Sequence, residues 1–254
     1  MKFFNRTIPW VVSLAVFMIV ERIFVLPKQI YFLVPVILGL VFLAVWQLAG
    51  RKFKETRFWL LALTPLCFAL GGSLFLSFLQ GRFIKHFFAL FLALALGIFL
   101  EVIYSKFHNR IKYQPHSLEN ISFNLNIITV FFIASGFFSL ITFLGFSFLF
   151  FWLLFIVIIL LLNYQIIWLA GSRFSVGGWY LFIITLIMAE VFWAVNFLPT
   201  SIYVNGLLLT ISYYLLAGLS RNWLLDIKEF KVVKRYLFTS LIILVIILIT
   251  AKWF

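Results

Sequence analysis

Nine apolar runs, each close to the length that crosses a bilayer, constrain this chain more than any other feature. They cover roughly residues 8–26, 30–49, 58–79, 85–105, 122–144, 147–170, 178–198, 202–219 and 236–253. A hydrocarbon core about 30 Å thick takes about 20 residues of helix. Inside lipid the backbone must satisfy its own hydrogen bonds, so runs of this kind become helices. The expected fold is an all-α integral membrane protein, a bundle of about nine transmembrane helices in a single polytopic domain over 1–254. An eight-span alternative folds the region 8–30 into the interface.

Composition supports that class. Of 254 residues 65% are hydrophobic and 11% are charged, more apolar surface than a soluble core of this size can hide. The net charge of +13 then belongs to short loops beside an anionic membrane surface rather than to nucleic-acid binding, for which no extramembrane module exists. Arg22, Lys28, Arg82, Lys85 and Lys252 fall on one side of the nine spans, and the other fifteen of the 20 Lys and Arg on the opposite side. By the positive-inside rule the N-terminus is cytoplasmic and the C-terminus lies outside. Trp10, Trp46, Trp59, Trp168 and Trp179 sit at cytoplasmic span ends in that topology, as an interfacial belt. Lys2 and Arg6 precede the first run as in a signal peptide, but no small-x-small site follows, so an uncleaved first span is expected. The location is a plasma (inner) membrane, with the lipid bilayer and a membrane-protein partner as expected associates.

Small residues suggest where helices approach closely. Ala69, Ser73 and Ser77 recur every four residues in the third span, and Ala89, Ala93 and Gly97 in the fourth. Each set makes a smooth stripe. A short connection at Gln80–Ile84 points the two stripes at each other. Glu101 continues the fourth-span stripe and is expected to pair with Lys106 or another loop cation. Residues 106–121, with His108, His116 and Glu119, read as a solvated loop. In the fifth span Ser122, Asn126 and Thr129 share one face, and Asn163 and Gln165 lie in the sixth. Hydrogen bonding between helices explains these more simply than a polar vestibule. Residues 221–235 read as an amphipathic segment on the cytoplasmic leaflet, with Trp223, Ile227 and Phe230 on one face.

Catalytic patterns are scarce. No His-Glu-x-x-His, no phosphate-cradling glycine loop and no Ser/His pair within a span occurs. The single cysteine, Cys67, rules out a disulfide within the chain and any cysteine cluster. No catalytic residue, no cofactor and no metal site is assigned.

One carboxylate stands out. Glu190 interrupts the seventh span, where a charge costs about 2.5–3.5 kcal/mol on insertion scales. Such groups usually face the bundle interior beside a partner. Trp193 and Asn196 follow at steps of three, and Thr210, Tyr213 and Tyr214 of the eighth span lie near its level. Glu190, Trp193, Asn196 and Tyr213 are therefore the candidate ligand or ion site. The plainer alternative is a protonated, hydrogen-bonded carboxyl that locks the seventh span to its neighbours. The run Ala189-Glu-Val-Phe-Trp-Ala-Val-Asn-Phe-Leu-Pro199, with Tyr203, Asn205-Gly206 and Tyr213-Tyr214, resembles polytopic bacterial membrane proteins of unknown function over about 188–219. That resemblance implies no activity.

Three functions fit. The first is a non-catalytic membrane component or anchor of a larger assembly, not an enzyme. The second is a small transporter or channel using Glu190. The third is a lipid-modifying membrane enzyme, which requires a lateral groove beside the seventh and eighth spans.

Overall fold

A computed structural model describes residues 2–50, 55–109, 111, 113–169, 174–225 and 229–251. Arg51, Lys52, Lys54, Arg110, Lys112, Arg173, Lys228 and Lys252 of the charge pattern, and Ile227 of the amphipathic segment, lie outside them. Among the described residues no strand occurs, and nine helices are long and apolar enough to cross a membrane. They are α1 (Lys2–Val25), α2 (Ile30–Leu48), α3 (Thr56–Phe78), α4 (Arg82–His108), α5 (Ser117–Leu144), α6 (Phe148–Leu169), α7 (Phe174–Val195), α8 (Ile202–Leu224) and α9 (Phe230–Thr250). A short 3₁₀ turn, Pro27–Gln29, joins α1 to α2. Each expected span finds its helix.

The ends shift where polar residues extend the helical ladder. Arg221–Leu224 continue α8 and Phe230–Arg235 open α9, so the segment expected over 221–235 is shared between two helices. α9 is the least covered helix, with 11% of its apolar window buried.

By contacts the chain divides into two compact units, Met1–Asn126 and Ile127–Phe254, with the division inside α5. In the first unit α1 and α4 run antiparallel along a ladder of polar contacts. Asn5 Nδ2 lies 2.9 Å from His108 Nε2, Ser13 Oγ donates to the Ala93 carbonyl at 2.6 Å, and Glu21 meets His86 at 2.7 Å. The small stripe of α4 therefore opens onto α1, not onto α3 as its sequence neighbour suggested. A Cβ added to Gly97 would come 3.0 Å from the Cβ of Ser13. α3 instead meets α4 through rings, Phe75 on Phe88 at 5.3 Å and Phe68 on Phe91 at 6.4 Å. Ala69 and Ser73 are buried, whereas Ser77 is exposed and returns its hydroxyl to the Ser73 carbonyl. The reason is geometric: a stripe specifies how close a neighbour comes, not which neighbour.

The second unit is organised by phenylalanines around α7. Phe192, fully buried, stacks on Phe138 of α5 at 4.7 Å and touches Phe155 of α6 at 4.7 Å and Phe148 at 5.9 Å. Such pairs contribute about 0.5–1.5 kcal/mol each beyond their burial. Glycines set the close approaches. A Cβ on Gly177 would fall 2.4 Å from Ile167 Cγ2, and one on Gly218 would fall 2.3 Å from the Tyr236 ring.

Gly206 offers the sharpest test of this packing. A Cβ there would meet the Ser135 hydroxyl oxygen, and Ser135 Oγ is buried without a hydrogen-bond partner among the described residues. Gly206→Ala is expected to cost about 1–3 kcal/mol by overpacking. Adding Ser135→Ala, which removes the clashing atom and no hydrogen bond, should restore part of that loss. Reversible unfolding in mixed micelles, followed by circular dichroism, measures both.

Candidate functional site

The face that α7 turns to its neighbours decides where Glu190 points. Ile184, Thr185, Met188, Ala189, Phe192 and Val195 are all buried. Phe192 and Glu190 are two residues apart, about 200° around a helix. Inward packing of Phe192 therefore rotates Glu190 outward, and Glu190 is exposed. The expectation that it faces the bundle interior is corrected by that rotation.

Its expected partners make other contacts or are buried. Tyr213 is completely buried. Thr210 donates to the Gly206 carbonyl in its own helix at 2.7 Å, and Tyr214 packs on Tyr236 of α9 at 5.0 Å. Asn196 is half-buried just past the end of α7, its backbone N–H bonded to the Phe192 carbonyl at 3.3 Å. Among the described residues no group donates to, or ion-pairs with, the Glu190 carboxylate.

Trp193 follows Glu190 by one helical step of three on α7 and is exposed with it. It is 41% exposed, and two α6 rings hold it edge-on. Phe148 lies at 5.0 Å and 82°, and Trp152 at 5.4 Å and 81°. Trp152 is fixed in turn by donating its indole N–H to the Ala189 carbonyl at 2.9 Å. Sequence spacing found Glu190 and Trp193, but nothing in it singled out Trp152. The rest of the face is apolar: Trp179, Phe182, Ile183, Leu186 and Phe197 are all exposed. The result is one carboxylate and one pinned indole on an outward apolar stripe.

The hairpin beyond is well ordered by its own polar groups. Thr200 Oγ1 donates to Asn205 Oδ1, and Ser201 caps α8 by accepting the Val204 N–H at 3.4 Å. α7 ends at Val195, four residues before Pro199.

Polar residues of the first unit are handled differently from expectation. Lys106 pairs with Glu119 at 3.6 Å, not with Glu101, because the first turn of α5 brings Glu119 to it. One Glu101 oxygen is buried without a hydrogen-bond partner among the described residues. His108 is the last residue of α4 rather than part of a solvated loop. It stacks on Tyr104 at 5.3 Å, beside Asn5, which accepts from Gln47 at 3.3 Å. His116 is exposed, with φ 61°. Asn126 accepts from Thr64 of α3 at 3.0 Å with both side chains fully buried, and Ser122 and Thr129 are buried with it on α5. Those contacts match interhelical hydrogen bonding rather than a vestibule. Asn163 and Gln165 are likewise buried. Among the described residues no three of His, Cys, Asp and Glu come together to hold a metal ion. Cys67 lines an apolar groove of about 450 Å³ with Leu38, Gly39, Phe42, Leu66 and Leu70.

Residues 32–250 match DUF5656, described as a protein of unknown function. The chain belongs to this family. No curated protein and no solved structure matches it. Membership attaches no activity, and the site must be read from its own geometry.

Two outcomes follow. Because Glu190 is exposed within a span, Glu190→Leu should leave the purified chain in lipid at least as stable as the wild type, whereas loss of a buried locking carboxyl would destabilise it by more than about 1 kcal/mol. Between α4 and α5, burial pushes the Tyr113 phenol above its ordinary value, and the adjacent Glu119 carboxylate adds to the rise. Glu119→Gln should lower that pKa without bringing it to the free value, since burial remains. Carbon-13 tyrosine NMR over pH reads it directly.

Proposed function

We propose that the chain is a non-catalytic, multi-pass component of a larger membrane assembly. It sits in a plasma membrane with its N-terminus cytoplasmic. The exposed carboxylate of Glu190 carries this reading. It lies five residues from the end of α7, about 7–8 Å of helix rise. Side chains on a helix lean toward its N-terminus, and the N-terminus of α7 is at the far side of the membrane from Glu190. The carboxylate is thus aimed deeper into the span, away from the nearer surface. An anion held there against lipid is costly, and a covering protein partner removes the cost.

The other readings have less to rest on. A transport route through Glu190 needs polar groups leading to both surfaces, but Phe182, Ile183, Leu186 and Phe197 surround it on its face. Lipid chemistry needs a groove with a general base. The small groove between α7 and α8, about 200 Å³, is lined by Tyr180, Leu219, Ser220 and Trp223. Tyr180 stands ten residues from Glu190, about 15 Å along the helix.

The test uses native membranes. A photoreactive amino acid at Leu186 should give a discrete adduct with another polypeptide, and polymer-extracted discs should contain that polypeptide in fixed proportion. Purified chain in liposomes should carry no cation above the protein-free background. Lipid adducts alone, or uptake abolished by Glu190→Gln, would sink the component reading.

A further inference from the structure

Resting on the assembly reading, we propose that the Glu190–Trp193 face of α7 is the seat of one basic side chain, carried by a transmembrane helix of a different polypeptide. The face offers what a cation needs and little that anything else needs. Its charge is a single carboxylate with no described partner. One helical step of three away is the Trp193 indole, 41% exposed, whose ring face attracts cations. The indole is held in place by Phe148 and Trp152, so little is lost in ordering it. Trp152 cannot serve the carboxylate itself, because its N–H is given to the Ala189 carbonyl.

Arginine fits better than lysine. A planar guanidinium can hold a carboxylate through two parallel hydrogen bonds and lie against an indole at the same time. A lipid ammonium is the weaker candidate, because headgroups stay at the surface while this carboxylate leans toward the middle of the span. A second copy of the chain is weaker too. Two α7 faces meeting about a twofold axis would bring carboxylate to carboxylate with no cation between them.

The probes are hydrophobic peptides of about 20 leucines with uncharged polar ends, which span a bilayer. One carries arginine at the depth of Glu190, one keeps leucine there, and one carries glutamine. Each is reconstituted with the full-length chain in phosphatidylcholine discs, and association is read by energy transfer. The arginine peptide should bind roughly tenfold or more tighter than the leucine peptide. Glu190→Gln should abolish the difference, and Trp193→Leu should reduce it roughly threefold. Equal binding of arginine and leucine peptides, or a preference that survives Glu190→Gln, overturns the proposal. So does glutamine binding as tightly as arginine, or a Leu186 photoadduct between two copies of the chain. If the preference is absent while Leu186 still forms an adduct with another polypeptide in native membranes, this proposal falls and the assembly reading stands. If that adduct is also absent, the assembly reading falls with it.

Discussion

Hydrocarbon offers the backbone no hydrogen-bonding partner, and every other feature of this protein follows from that demand. Each span must satisfy its own N–H and C=O groups, which makes it a helix from end to end. Side-chain hydroxyls obey the same rule. Ser77, Ser139, Thr210, Ser212 and Thr250 return their protons to carbonyls of their own helices four residues back. Other polar groups reach across to a neighbouring helix, and Thr64 and Asn126 do so as a fully buried pair.

Once the backbone is satisfied, what distinguishes one helix arrangement from another is close contact. Lipid tails are as apolar as leucine, so there is little hydrophobic gain in bringing two spans together. The first unit uses a stripe of small residues on α4, against which α1 lies closely enough for Ser13 to reach the Ala93 carbonyl. The second uses aromatic rings converging on Phe192. That ring cluster fixes the rotation of α7 about its axis. It thereby determines that Trp193 and Glu190 look outward.

The outward carboxylate of Glu190 is a localised chemical signature within a span. Its neighbours are a pinned indole and an apolar stripe, a combination suited to recognising a cation at low dielectric. Other charges among the described residues pair near helix ends, where Glu21 meets His86 and Lys106 meets Glu119. The proposed anchoring role fits that division: charged helix ends, an apolar body, and one face with an exposed carboxylate.

The helices were legible in the residues because length and apolarity alone decide whether a segment spans a bilayer. The buried polar row at Ser122, Asn126 and Thr129 was legible too, since three polar residues on one face of an apolar helix have few places to go. Rotation and pairing were not. In a soluble helix the polar face marks the outside, but in α7 nearly every position is apolar, so no pattern says which side packs. Cost suggested that Glu190 turns inward; the larger contact made by Phe192 turns it outward. The stripe on α4 announced a close neighbour, yet only the assembled helices show that neighbour to be α1. Lys106 lay five residues from Glu101 in the chain but found Glu119 across a turn. The sequence by itself determined that the chain spans a membrane and where its helices lie. Tertiary structure alone decided which face each helix shows, because in lipid that choice rests on shape and ring contact rather than on polarity.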